Sequence, residues 1–442
     1  MRGTYNGGVN KEPATDPSLA HFHPTLRKWF INTFTAPTNA QLLAWPAIAA
    51  GKNTLLLAPT GSGKTLAAFL VAINRIMFPD SLGEHIETTS NGPGSGEGAP
   101  SKNAGVRTLY ISPLKALGVD VERNLRSPLA GVRLAASREE VPHHVPLVGV
   151  RSGDTPAAER TRIQRDPPDI LITTPESLYL MLTSRARKVL ETIETVIIDE
   201  IHSMVATKRG THLFVSLERL EKLRQDAYPE ARPIQRVGLS ATQRPLEEVA
   251  RLLGGAEWCE GAEFPSPRHV EIIEAGRRRP LEIKIEVPVE DMAALATASV
   301  ESGATSTGPS VPSIWPAIHP RLVELIRGHR STMIFVNSRR LAERLSASIN
   351  ELAEVELAMA HHGSIAKDMR LQIEDRLKRG QLPAIVATSS LELGIDMGAV
   401  DLVVQIEAPP TIASGIQRIG RAGHQVGAVS EGVICPKFRG DL

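Results

Sequence analysis

Two clusters of residues in this chain are suited to phosphate chemistry. The first is Ala58-Pro-Thr60-Gly61-Ser62-Gly63-Lys64-Thr65, set between the apolar run Thr54-Leu-Leu-Leu57 and the helical pattern Leu66-Ala-Ala-Phe-Leu70. Gly61 and Gly63 let a backbone curl until its N–H groups and a helix N-terminus face phosphate oxygens. Lys64 then reaches the β and γ phosphates, and the Thr65 hydroxyl suits Mg²⁺. The second cluster is Asp199-Glu200, delivered at the end of the apolar run Thr195-Val-Ile-Ile198, where open parallel sheets bind their ligands. In one domain with Lys64, Asp199 would hold Mg²⁺ and Glu200 would orient and deprotonate an attacking water.

Such groups need a parallel α/β scaffold, and the chain has its pattern. Short runs rich in Val, Ile and Leu recur at 54–58, 107–112, 146–150, 170–173, 195–199 and 236–240, then at 332–336, 384–388 and 402–406. Each is followed by a turn and a helical pattern, as in βαβ units. The two groups of runs predict two domains, 1–280 and 281–442, since 442 residues are too many for one small core. Stretches rich in Gly, Ser, Pro and Ala at about 79–105 and 288–316 read as a flexible insertion in the first domain and a low-complexity segment in the second. With 42% hydrophobic and 22% charged residues, the chain is neither disordered nor fibrous. Its 50 Lys and Arg nearly cancel 49 Asp and Glu, so an anionic partner must be met by a local basic groove. Cys259 and Cys435 alone exclude a disulfide framework and a thiolate zinc site. The pairs His143-His144 and His361-His362 point to opposite faces of extended segments, which argues against a metal centre. No apolar run approaches the ~18 residues of a membrane span, and Met1 to Pro24 is too polar for a signal peptide. A soluble cytoplasmic protein without a membrane partner is expected.

Together with Asp199-Glu-Ile-His202, Ser240-Ala-Thr242 and Gln417-Arg418-Ile-Gly-Arg421-Ala-Gly-His424, the segment Ala58 to Thr65 resembles the ordered motifs of superfamily 2 helicases. The likeness is closest to the large helicase-related family, which also shows Arg209-Gly-Thr-His-Leu213 leading into Ser216-Leu-Glu-Arg-Leu220, and Pro436-Lys-Phe-Arg-Gly-Asp-Leu442. It spans about Phe22 to Leu442. The resemblance implies two tandem RecA-like parallel-sheet domains of the P-loop NTPase class, ATP and Mg²⁺ as cofactors, and ATP hydrolysis at the cleft between the domains. It also implies 3′-to-5′ translocation on single-stranded DNA, or on one strand of an RNA–DNA hybrid. Pro37-Thr38-Asn-Ala-Gln41, with Phe34 packed beside it, resembles the adenine-reading motif of these helicases, and a Gln amide can pair both donor and acceptor with adenine. Leu391-Glu-Leu-Gly394-Ile-Asp396 resembles the motif that contacts the nucleotide ribose. Arg418 and Arg421 share one face of a helical turn; Arg421 is the first choice for the arginine finger. His202, Ser240, Thr242 and Gln417 would couple the γ-phosphate state to the nucleic-acid track. Two other readings are an ATP-gated clamp with little hydrolysis and an RNA helicase of the DEAD-box kind; His202 and His424, where that group has Asp and Arg, argue against the second. Large helicase-related proteins continue into a winged helix and a further helical domain, so a motor core without these strand-separating parts is expected.

The track itself is read from strand ends: Ser112-Pro113-Leu-Lys115, Arg151, Thr174-Pro175, Asn337-Ser338-Arg339 and Thr388-Ser389. Short hydroxyls, loop N–H groups and a few cations suit sugar and phosphate contacts that hold register without reading sequence. Four Trp, four Tyr and nine Phe are too few for a base-stacking platform.

Overall fold

Val, Ile and Leu runs that pack on both faces form short parallel strands, and the chain makes two sheets of them. The computed structural model describes residues 16–59, 61–79, 105–241, 244–258, 261, 263–276, 280–287, 289, 314–392, 400–423, 429–437 and 439–441. Thr60, Thr242, Gly394, Asp396 and His424 lie outside the described residues, as does nearly all of 79–105 and 288–316. The chain divides into one unit of 1–58, 63–240 and 244–276 and another of 59–62, 241–243 and 277–442.

In the first unit, β1 (Thr54–Leu57), β2 (Thr108–Ile111), β3 (Val148–Arg151), β4 (Ile170–Thr173), β5 (Thr195–Ile198), β6 (Gln235–Ser240) and β9 (Glu271–Glu274) form a seven-stranded parallel sheet in the order β3-β4-β2-β5-β6-β1-β9. A small antiparallel ribbon of β7 (Ala256–Glu257) and β8 (Ser266–Pro267) precedes β9. Side chains alternate across the sheet. Tyr110 joins the core with Phe30, Trp45 and Phe69 on one face, while Leu109 and Ile111 join Leu217 and Leu253 on the other. Register brings the strand ends level: Leu57 pairs with Ser240, Ile198 with Gly238 and with Ile111, and Ile111 with Thr173. Ala58, Ser112, Asp199 and Ser240 therefore sit at one carboxyl edge of the sheet.

The second unit holds β10 (Leu281–Ile285), β11 (Thr332–Phe335), β12 (Ala358–His361), β13 (Ala384–Ala387), β14 (Leu402–Ile406) and β15 (Ser430–Cys435), a six-stranded parallel sheet ordered β10-β15-β14-β11-β13-β12. Ile334, Val404 and Val433 are among its core residues. The segment expected to be of low complexity to residue 316 instead enters a helix at Trp315, where Pro316 stands in the first turn, a place that tolerates its missing N–H. No helix among the described residues is long and apolar enough to cross a membrane.

Candidate active site

The phosphate loop leaves β1 and enters the helix Lys64–Met77 through two glycines of positive φ, +77° at Gly61 and +80° at Gly63. Only glycine adopts such angles freely. A Cβ at position 63 would also lie 2.8 Å from Gln41 Nε2. Lys64 is buried, and its Nζ donates to the Ala58 carbonyl at 2.6 Å. The Ser62 hydroxyl donates to the Pro59 carbonyl at 2.7 Å. Thr65 follows in the first turn of the helix.

Two carboxylates emerge from β5. Asp199 is 4% exposed; its Oδ1 accepts the Glu200 N–H at 2.9 Å and its Oδ2 accepts the Tyr110 hydroxyl. Burial, with the adjacent Glu200, pushes the Asp199 carboxyl up to about 6. Glu200 has φ +46°, a conformation that costs a non-glycine residue of order 1 kcal/mol or more and that clusters at functional sites. The turn aims its carboxylate at His202, with Nε2 3.4 Å from Glu200 Oε2, while His202 Nδ1 lies 3.2 Å from the Ser240 hydroxyl. One imidazole thus joins Glu200 to the end of β6. Asp199 and Thr65 present oxygen donors only, the set that a hard cation such as Mg²⁺ prefers.

Thr38 and Gln41 differ from expectation. Gln41 was expected to offer both halves of its amide to a base, yet its Oε1 accepts the Thr38 N–H at 2.9 Å while Thr38 Oγ1 accepts the Gln41 N–H at 3.3 Å. This is a capping box opening the helix Asn39–Ala49. The amide is buried with its nitrogen turned to Gly63. Phe34 packs on Phe30, with ring centroids 4.9 Å apart, and edge-on to Trp29.

Along the same edge, Ser112 is buried, and Lys115 pairs with Asp154 at 2.5 Å in the turn after β3. Pro113 lies between them. Arg151, 9% exposed, has one guanidinium nitrogen with no hydrogen-bond partner among the described residues. Thr174 caps the helix Pro175–Leu182, its Oγ1 accepting the Ser177 N–H. That cap, like the one Ser338 makes on Leu341 N–H, uses a hydroxyl that was expected to face the track.

In the second unit the two arginines differ. Arg418 is 1% exposed and internally satisfied. It donates to Glu392 Oε2 at 3.3 and 3.1 Å, to Asn337 Oδ1 at 3.2 Å and to Gln405 Oε1 at 2.9 Å, and lies over the Phe335 ring. The half-buried Glu392 carboxylate holds this guanidinium inside the second unit, so Arg418 was expected to face a phosphate beside Arg421 but is met here by protein partners. Arg421, 3% exposed, donates to the Glu392 carbonyl at 2.7 Å. Gln417 is half-buried on the same helix, Ile412–Ile419. Arg339 donates to the Ser364 hydroxyl at 2.7 Å, while Thr388 and Ser389 stand at the end of β13. His361 and His362 bind carboxylates of two different helices, Glu374 at 3.0 Å and Glu343 at 2.7 Å, which sequence spacing did not reveal. Tyr110 and Glu392 were also missed; an aromatic hydroxyl in the middle of the strand run Thr108-Leu-Tyr-Ile111 is the signal that could have marked the first.

Residues 38–250 match the DEAD/DEAH box helicase family, and residues 318–425 match the helicase conserved C-terminal domain. The chain is 48% identical to the Lhr helicase/probable uracil glycosylase of Mycolicibacterium smegmatis, over 97% of this chain and 27% of the relative. It is 44% identical to the Lhr helicase/uracil glycosylase of Escherichia coli, over 95% of this chain and 27% of the relative. Among solved structures, Mycobacterium smegmatis helicase Lhr bound to ssDNA and AMP-PNP superposes with a TM-score of 0.78 at 49% identity, covering 96% of this chain and 49% of that one. The chain thus spans about a quarter of the two relatives and half of the solved chain. Both units are RecA-like helicase folds, and the chain belongs to the large helicase-related family of superfamily 2 helicases.

Proposed function

We propose that this chain is the motor core of an ATP-dependent DNA helicase that translocates 3′-to-5′ on single-stranded DNA. The observation that carries the reading is the convergence of Lys64, Asp199 and Glu200 at one sheet edge, with His202 linking Glu200 to Ser240. Lys64 would bind the β and γ phosphates. Glu200, oriented by His202 and by its own left-handed turn, would take the proton of the attacking water. Asp199 and Thr65 would hold Mg²⁺, which when bound offsets charge on the phosphate oxygens. Arg421 is the arginine finger and Arg418 its internal support. Thr38 and Gln41 would act through Gly63, with Phe34 packing beside the adenine; Gly394 and Asp396 would contact the ribose, and Thr242 and Gln417 would join the coupling.

The strand would be held through its backbone by Ser112, Pro113, Lys115, Arg151, Thr174, Pro175, Asn337, Ser338, Arg339, Thr388 and Ser389. The spare donor on the buried Arg151 supports this, because a buried guanidinium is best satisfied by an anion. The ssDNA-bound relative supports DNA as the track. The domain boundary is placed near residue 280, and the protein in the cytoplasm. The test is phosphate release with and without matched single strands of DNA and RNA. Stimulation by DNA supports the reading; release that no strand changes refutes it.

A further inference from the structure

Arg209 lies in the first turn of the helix Lys208–Ala227, nine residues after Glu200. Its Nη1 donates to the Pro113 carbonyl at 2.7 Å, in the turn between β2 and the helix Lys115–Arg138. Its Nε and Nη2 grip both oxygens of Glu176, in the first turn of the helix that Thr174 caps, with Nη2 to Oε2 at 3.0 Å. One planar fork therefore ties together three segments that are distant in sequence. Two of them carry candidate strand contacts, Ser112 to Lys115 and Thr174 to Pro175.

Stability does not account for this arrangement. The Arg209 and Glu176 side chains are 38% and 57% exposed, and an ion pair so open to solvent adds little to folding. What the fork fixes is relative position. The helix that bears Arg209 is itself seated hard against the segment after Glu200: a Cβ at Gly210 would lie 2.0 Å from the Met204 carbonyl, and Thr207 caps the helix by accepting the Gly210 N–H at 3.1 Å. The hydrogen bond from Arg209 also holds the Glu176 carboxyl below its usual range, which keeps it ionised and in the fork.

We propose that Arg209 is a positioning residue for the nucleic-acid track. It locks the Ser112–Lys115 turn and the Thr174–Pro175 helix start in one register, so that a strand's backbone meets both together, and it ties that register to the segment bearing Glu200. The assignment rests on the proposed function, since it presupposes a strand at these two segments.

The test is fluorescence anisotropy of a fluorescein-labelled oligothymidylate with the 442-residue chain, beside the affinity for a fluorescent ATP analogue. R209A is expected to weaken strand binding about tenfold while analogue affinity stays within about twofold. R209K should fall with R209A, because a lysine keeps the charge but cannot span the carboxylate and the carbonyl as a fork does; it also carries the test if the alanine variant does not fold. R209A/E176Q should bind strands as poorly as R209A. Strand affinity restored in R209K or in R209A/E176Q would show that only charge matters and overturn the assignment. So would R209A binding strands like the parent, or losing analogue affinity in step with strand affinity. A parent chain that binds no strand refutes the proposed function and this assignment with it; a parent that binds strands while R209A binds equally refutes the assignment alone.

Discussion

The Tyr110 hydroxyl donates to Asp199 Oδ2 inside the first unit, where neither residue is more than 4% exposed. The Asp199 carboxyl, raised from 3.8 to about 6, binds its proton more tightly in the folded chain than in the unfolded one. Its contribution to stability is fully present below about 3.8 and is lost as pH rises through about 6. In the absence of metal and nucleotide, Asp199→Asn should therefore be more stable than the parent at pH 7, by on the order of 1–3 kcal/mol. The advantage should shrink as the pH approaches 4. Tyr110→Phe removes the donor and should cost about 1–3 kcal/mol. Urea denaturation of the three proteins across this range is the measurement, and equal stabilities at pH 7 would contradict it.

Glu200→Gln keeps the shape of the site but not its base. Turnover should fall to background while an ATP analogue still binds. Lys64→Ala should lose both turnover and tight binding. Turnover in the Gln variant within about threefold of the parent would remove Glu200 from the role of base.

The two arginines should separate cleanly. Arg421→Ala should lower turnover by roughly 10³ with little change in ATP affinity, as for a group acting in the transition state. Arg418→Ala leaves the Glu392 carboxylate, held at 3.1 Å, without its partner and should destabilise the protein by about 3–5 kcal/mol. Thermal melting beside single-turnover kinetics distinguishes them; normal melting of Arg418→Ala with a loss of turnover would reverse the roles.

Each neutralised phosphate adds about 0.7 to the negative slope of log affinity against log salt for a single strand. Lys115→Ala and Arg339→Ala should each flatten that slope by up to one such unit and reduce strand stimulation of the ATPase. Unchanged slopes in both would take these residues off the track.

The central strands could be read directly from the amino-acid order because burial on both faces demands unbroken apolar runs. Of the strands that escaped notice, β9, β10 and β12 lie at the edges of the two large sheets, and β7 and β8 form a two-residue ribbon. Glu271-Ile-Ile-Glu274 and Leu281-Glu-Ile-Lys-Ile285 interleave charge with apolar residues, and Ala358-Met-Ala-His361 has no β-branched residue. Lys64, Asp199 and Glu200 were visible since each sits beside a strand in a short motif. The Tyr110, Glu392 and Arg209 contacts were not, because each depends on pairing across tens of residues that only the sheet order brings about.

At Gly210 the helix start and the Met204 carbonyl meet with no room for even a methyl group. A joint packed that closely leaves the start of the helix that bears Arg209 no room to move toward Met204. Spacing matters as well: a residue inserted in the break between the helices His202–Val205 and Lys208–Ala227 would have to bulge outward or shift the start of the second helix, and Arg209 with it, relative to the Met204 carbonyl. The joint between Met204 and Gly210 is therefore a part of fixed gauge, in which length is constrained along with composition.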